Sequence, residues 1–253
     1  MQKSNLTVVI PTANRRLMIK NCLNSVLSQS VLPERIIIVD NGADRCFQNE
    51  QVPSIVNIIQ TEINIGASKA RNIGLRNVKS TFVAFLDDDD IWDKDFLKNL
   101  VGVIYKEDCE VVVGSLYRRN KNSNDIMLYK QFPAELINQR KVYYSNPGIG
   151  GQNFLGKTDF LIRIGGFNEN IVGSEDRDIA AKILENFGRI VPVPNAIAIL
   201  CDHDEPRNRL NKRIKGLRQF IHNHKDYMTK KELLLAYIKA LDHFQKIIRR
   251  KLF

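Results

Sequence analysis

A chain of 253 residues, 43% hydrophobic and 26% charged, has ordinary globular composition, which excludes the disordered and fibrous classes and leaves room for one large domain with an appendage. The formal net charge of +10 sits at one end: residues 205–253 hold fourteen Lys/Arg against four Asp/Glu, and residues 1–204 are balanced at 24 of each. A tail of that sign predicts an anionic partner, either phospholipid headgroups or nucleic acid.

The opening MQKSNLTVVIP holds only a short apolar run before Pro11, so neither a signal nor a transit peptide is expected. LLLAYI at 233–238 is far shorter than the roughly 20 residues of a spanning helix. A soluble or peripheral, cytoplasmic protein follows as the expectation. Cys22, Cys46, Cys109 and Cys201 are scattered without zinc-ligand spacing and read as reduced thiols.

In chain order, LTVVIP at 6–11 predicts a buried parallel strand, and Leu17, Cys22, Leu23, Val26 and Leu27 recur at helical spacing. RIIIVDNG at 35–42 gives a second strand, completing a βαβ unit. A third strand is expected at 56–60, a helix at 67–77, a fourth strand at 82–86, a helix at 94–106 and a strand at 109–119. Residues 120–160 are polar and Gly/Asn-rich and read as loops with short strands. A helix is expected at 176–187, then a late strand at 190–200 with Pro192 and Pro194 marking an edge or irregular start. In an open parallel sheet ligands sit beyond the carboxyl ends of the strands, where Thr12, Asp40 and Asp87 emerge together.

VVIPTANR (8–15), IIIVDNGAD (36–44), NIGASKARNIGL (64–75) and FLDDDD (85–90), in that order and spacing, resemble the family two glycosyltransferases, whose typical stretches are VVIPTYNR, IIVVDDGSTD, NxGxxxARNxG and FLDxDD. IGGFNEN (164–170) and SEDRDIAAKI (174–183) continue the similarity over about residues 6–185. The resemblance implies a GT-A fold: an α/β, Rossmann-like, mixed and mainly parallel sheet flanked by helices. The division expected is a catalytic domain at 1–204, with a nucleotide-sugar half at about 1–110 and an acceptor half at about 111–204, and a basic, mostly helical extension at 205–253. The implied activity is inverting transfer of a sugar from a nucleotide-diphosphate donor, a UDP-sugar, to a glycan acceptor, lipid-linked, in cell-surface polysaccharide synthesis.

The chemistry can also be read from the residues. Aspartates at a strand end suit a hard divalent cation, Mn²⁺ or Mg²⁺, bridging a pyrophosphate. Four adjacent carboxylates repel each other unless a cation compensates; the alternative is a solvated acidic loop. By resemblance Asp87 faces the ribose and the metal, Asp89 is the principal ligand, Asp90 supports the loop or acceptor, and Asp88 is the most replaceable. Asp40 is expected on a uracil-type base, or else as a turn cap before Asn41-Gly42. Thr12, Asn14 and Arg15 are expected to line the base and phosphate pocket, with Pro11 fixing the geometry of that loop. Asn64, Gly66, Lys69 and Arg71 open a helix where backbone N–H groups and cations face an anion; Lys69 reads equally as a solvated charge and Arg71 as a structural ion pair. Resemblance makes Asp176 the general base, with Glu175 beside it, although carboxylates at a helix start are also ordinary caps; Ser174 is the expected N-cap. Gly150-Gly151 offers a close approach to a sugar or a plain turn. Asn168 stands where the family has a carboxylate. His203 is a candidate metal or diphosphate ligand, with Arg207 and Arg209 able to close over phosphates.

In the tail Leu234, Tyr237, Ile238, Leu241, Phe244, Ile248 and Leu252 share one helical face, ringed by Lys230, Lys231, Lys239, Lys246, Arg249, Arg250 and Lys251. Such a helix lies in an anionic membrane interface, packs on the catalytic domain or forms a homodimer. A sugar-nucleotide nucleotidyltransferase is the alternative enzyme, but PTANRR lacks its Gly-rich loop. A nucleic-acid module would interleave aromatics with the cations, and the tail does not.

Overall fold

The computed structural model describes residues 4–47, 51–120, 123–201 and 209–252. The chain runs β1 (Ser4–Thr12), α1 (Arg16–Leu27), β2 (Pro33–Asp40), β3 (Val56–Gln60), α2 (Ala67–Arg76), β4 (Phe82–Phe85), β5 (Asp90–Trp92), α3 (Phe96–Ile104), β6 (Val111–Arg119) and β7 (Ile126–Lys130). It continues with α4 (Leu136–Gln139), β8 (Phe154–Lys157), α5 (Thr158–Arg163), α6 (Glu175–Glu185), β9 (Ile190–Cys201), α7 (Arg209–His224) and α8 (Lys230–Leu252).

The strands form one sheet in the order β3-β2-β1-β4-β8-β6-β9-β5, with β7 added to β6. β3, β2, β1 and β4 are mutually parallel. Beyond β4 the sheet is mixed: β8 is antiparallel to both neighbours and β9 is parallel to β6. Alternation along the strands feeds two cores. In β1 and β2, Leu6, Val8, Ile10, Ile36 and Ile38 pack with α1 and α3, whereas Val9, Ile37 and Val39 pack with α2, α5 and α6. Both faces are covered, so the strands read as continuous apolar runs.

The acidic run does not end as a loop. Asp90-Ile91-Trp92 forms β5 and pairs antiparallel with Ala198–Leu200 of β9. Trp92 stacks on Phe96 with centroids 4.5 Å apart and donates from Nε1 to Gln152 O at 2.7 Å. The expected irregularity of the late strand is present as a register shift where Pro194 passes β6.

The C-terminal helices pack on the sheet domain. Buried His224 of α7 bonds Asp178 (3.0 Å) and Glu185 (2.8 Å) of α6. Glu232 of α8 takes two bonds from Arg140, at 2.8 and 2.7 Å. α8 packs inward through Leu233, Ala236 and Ala240. The apolar face read from sequence is turned the other way: Leu234, Tyr237, Ile238 and Leu241 are 52–62% exposed. Helical spacing put those residues together correctly, but the small Ala236 and Ala240 give the closer approach and take the inner face. The side chains of Phe244, Ile248 and Leu252 lie outside the described residues. Among the described residues no helix is long and apolar enough to cross a membrane.

Candidate active site

The turn after β4 and the start of α6 meet at one cavity of about 500 Å³. β1 delivers Thr12, whose Oγ1 donates to Asp88 Oδ2 at 2.7 Å. Arg15, just before α1, places one guanidinium nitrogen 2.8 Å from Asp88 and 2.9 Å from Asp89. Burial pushes the Asp88 carboxyl up in pKa, against the pull of Arg15 and Thr12. Asp88 is not among the residues lining the cavity and instead fastens two loops, through partners from a strand end far away in sequence.

Asp87 is paired with the buried guanidinium of Arg71, which stands 5.1 Å over the Phe167 ring. Burial depresses the Arg71 pKa, but the fields of Asp87, Asp176 and Glu175 more than offset it and hold the group charged. Gly151 makes this possible, because a Cβ there would lie 2.6 Å from Arg71 Nη2. The pair ties Arg71 to the aspartate run, a contact shared by its readings as a group that orders that loop and as a structural ion pair. Asp90 accepts from Cys201 N at 3.0 Å, tying the acidic turn to the end of β9.

Asp176 stands in the first turn of α6 and lines the same cavity as Asp87 and Asp89. Desolvation, the neighbouring Glu175 and Asp87 raise its pKa to about 7, against Arg71 and the Gly151 N–H. Glu175 Oε2 is buried without a hydrogen-bond partner. Ser174 occupies the N-cap position but makes no side-chain cap bond. The carboxylates in this turn are thus not ordinary caps.

Ligand oxygens of Asp87, Asp89 and Asp90 all lie within 4.8 Å of one another, the one such cluster among the described residues. An all-oxygen, all-carboxylate set fits a hard divalent cation. Arg15 pairs with Asp88 and Asp89 and Arg71 with Asp87, while Asp176 and Glu175 bring further carboxyl groups nearby.

Other expected residues stand elsewhere. Asp40 is 1% exposed and accepts from Gly42 N (3.0 Å) and Cys46 N (2.9 Å), so it caps the turn instead of facing the cavity. Both of its oxygens accept from backbone N–H groups. Asn14, at φ 57°, accepts from Asp44 N at 2.8 Å, and Pro11 pairs with Val39. Asn64, also at positive φ, donates its N–H to Asn41 O, Gly66 caps α2 at φ 87°, and Lys69 is exposed on α2. None of these lines the cavity. Asn168 bonds Asp178 and Asn170 behind it. His203 and Arg207, and the side chain of Arg209, lie outside the described residues.

Sequence reasoning missed the basic part of the lining: Arg118, Lys130, Arg177 and Lys239 also line the cavity. Arg177 was hidden within an acidic motif; Lys239 was assigned only to the tail.

Residues 7–165 match the profile of Glycosyl transferase family 2. The chain belongs to that family. An uncharacterized glycosyltransferase of Haemophilus influenzae is 28% identical over 197 residues, 71% of this chain and 62% of the relative, so the chain spans less than two thirds of that protein. The colanic acid biosynthesis glycosyl transferase WcaA of Escherichia coli is 25% identical, over 87% of this chain and 81% of WcaA. The crystal structure of Staphylococcus aureus TarS 1–349 with UDP-GlcNAc superimposes with a TM-score of 0.70 at 20% identity, covering 94% of this chain and 72% of that one. This family 2 chain has the GT-A fold.

Proposed function

We propose that the protein is an inverting hexosyltransferase that moves a sugar from a UDP-sugar to a glycan acceptor, lipid-linked, in bacterial cell-surface polysaccharide synthesis such as O-antigen, capsule or lipooligosaccharide. The observation that carries the reading is the meeting of Asp87, Asp89 and Asp90 with Asp176 on one cavity. The names of the relatives, WcaA and the TarS complex with UDP-GlcNAc, support the donor and pathway class.

In this reading Asp87, Asp89 and Asp90 hold Mn²⁺ or Mg²⁺, which when bound neutralises charge on the departing diphosphate. Asp176 takes the proton of the acceptor hydroxyl as its oxygen bonds to the anomeric carbon; the bond from that carbon to the diphosphate oxygen breaks and UDP leaves with the electron pair. A base with a pKa near 7 is matched to proton transfer at neutral pH. Arg71 orients Asp87, and Thr12, Arg15 and Asp88 hold the acidic turn in place. The domain division at about residue 204 belongs to the same proposal, with α7 and α8 as an extension docked on the acceptor side. The peripheral, cytoplasmic-face location draws on the exposed apolar stripe of α8 among lysines.

The test is UDP release from a panel of UDP-sugars with candidate acceptors, in Mn²⁺ and in EDTA, for the wild type and for Asp89→Asn. Acceptor-dependent release that needs Mn²⁺ and falls in Asp89→Asn is expected. Release undiminished by EDTA would sink the metal-assisted mechanism.

A further inference from the structure

Among the described residues, Arg177 is a buried cation without a counter-charge. It is 9% exposed; Nε donates to Val142 O at 3.0 Å, and the guanidinium lies 4.2 Å over the Phe220 ring. Nη2 is buried with no hydrogen-bond partner. Desolvation lowers its pKa to about 10, with no carboxylate offsetting it. Arg71, equally buried, shows the contrast: Asp87 answers it and it is held charged. An unpaired buried charge is costly unless an anion completes it.

Arg177 lines the cavity next to Asp176, and two more cations arrive from separate elements. Lys130 of β7 donates to the carbonyl of Asn146 at 3.1 Å, and Lys239 of α8 reaches Ser145 Oγ at 3.3 Å. Both line the same cavity as Asp87 and Asp89. The cavity lining thus carries both signs, and its carboxylates are the groups assigned to donor and cation.

Resting on the glycosyltransferase reading, we infer that Arg177, Lys130 and Lys239 form an anion subsite that holds a phosphate group of the acceptor. A planar guanidinium flanked by ammonium groups matches phosphate oxygens. Arg177 directly follows Asp176 in the same helical turn, so the bound phosphate sits close to the base. The accepting hydroxyl then belongs to a sugar near the phosphate end of the acceptor. Two sources share this chemistry, an isoprenoid diphosphate and a polyol phosphate.

The experiment titrates the full-length protein with geranyl diphosphate and, separately, with glycerol 1-phosphate, in EDTA at low salt so that no cation recruits the anion to the aspartates. Arg177→Met, Lys130→Met and, as a remote surface control, Lys106→Met are compared, with UDP binding in Mn²⁺ measured in parallel. At least one probe is expected to bind, at least tenfold more weakly to Arg177→Met and to Lys130→Met, with Lys106→Met unchanged and Mn²⁺-dependent UDP affinity within twofold of wild type. The preferred probe names the source. Lys130→Met, at a partly exposed site, keeps the test open if Arg177→Met does not fold. Binding of neither probe, or equal binding by Lys130→Met, overturns the subsite. A parallel loss of UDP affinity also overturns it, by giving the cations to the donor. Absence of Mn²⁺-dependent UDP binding in the wild type instead sinks the glycosyltransferase reading, whatever the probes do.

Discussion

Thr12 and Asp88, at the ends of β1 and β4, share a buried 2.7 Å hydrogen bond that fastens the first loop to the acidic turn. Arg15 completes the fastening from the start of α1. Truncating the carboxylate leaves the buried Thr12 hydroxyl without this acceptor and removes one of the two carboxylates that Arg15 bonds. Asp88→Ala is therefore expected to lower unfolding stability by about 2–4 kcal/mol in urea titrations. Asp88→Asn, which still accepts from Thr12, should lose less. An unfolding midpoint for Asp88→Ala equal to that of the wild type would contradict the fastening role.

Asp176→Asn separates proton transfer from binding. The amide cannot take the acceptor proton, so UDP release should fall by about 10²–10⁴-fold. Mn²⁺-dependent UDP binding should persist, because Asp87, Asp89 and Asp90 are untouched. Stability should be unchanged or improved, since burial and Glu175 already disfavour the charge at 176. Full turnover in the variant with a working acceptor would remove Asp176 from the base role.

The alternating and continuous apolar runs made β1, β2, β3 and β4 legible from sequence, and with them the strand-end position of Asp87. β5 was not legible: three residues that begin with Asp90 carry no period, and their partner is the end of β9, more than 100 residues later. β8 and α5 were hidden in a Gly/Asn-rich stretch, where four- and six-residue elements are fixed by burial of Phe154, Leu155 and Phe160. The role of Asp88 depends on Thr12 and Arg15, which no local pattern connects to it. Arg177 escaped because its neighbours in SEDRD read as a carboxylate motif.

His224 gives a pH signature. Burial works against its charged form, but Asp178 and Glu185 overcome that and raise its pKa to about 9, above the unfolded value of about 6.5. A raised cation stabilises fully below the unfolded pKa and loses its contribution as pH rises through the folded one. The stability difference between wild type and His224→Ala should thus be largest below about pH 6.5 and shrink toward pH 9, the ionisation contributing at most about 3 kcal/mol. Thermal melts from pH 6 to 9.5 measure it. A difference independent of pH would show that His224 stays neutral between its two carboxylates.

Leu234, Ile238 and Leu241 face outward on α8, so replacing them should leave the fold intact. In the full-length chain, the triple substitution to Ser should abolish sedimentation with anionic liposomes and leave the melting temperature within about 6 °C, given that each exposed substitution changes stability by about 0.5 kcal/mol or less. Wild-type binding should weaken as salt rises. A wild-type dimer without lipid that the triple substitution makes monomeric would assign the stripe to a second copy instead.

Ile238 and Lys239 are consecutive on α8, yet the first looks outward and the second reaches Ser145 over the cavity. One rigid rod therefore couples the outer surface to the mouth of the cavity. A surface that held the outer stripe would also fix Lys239 over the cavity that Asp176 lines.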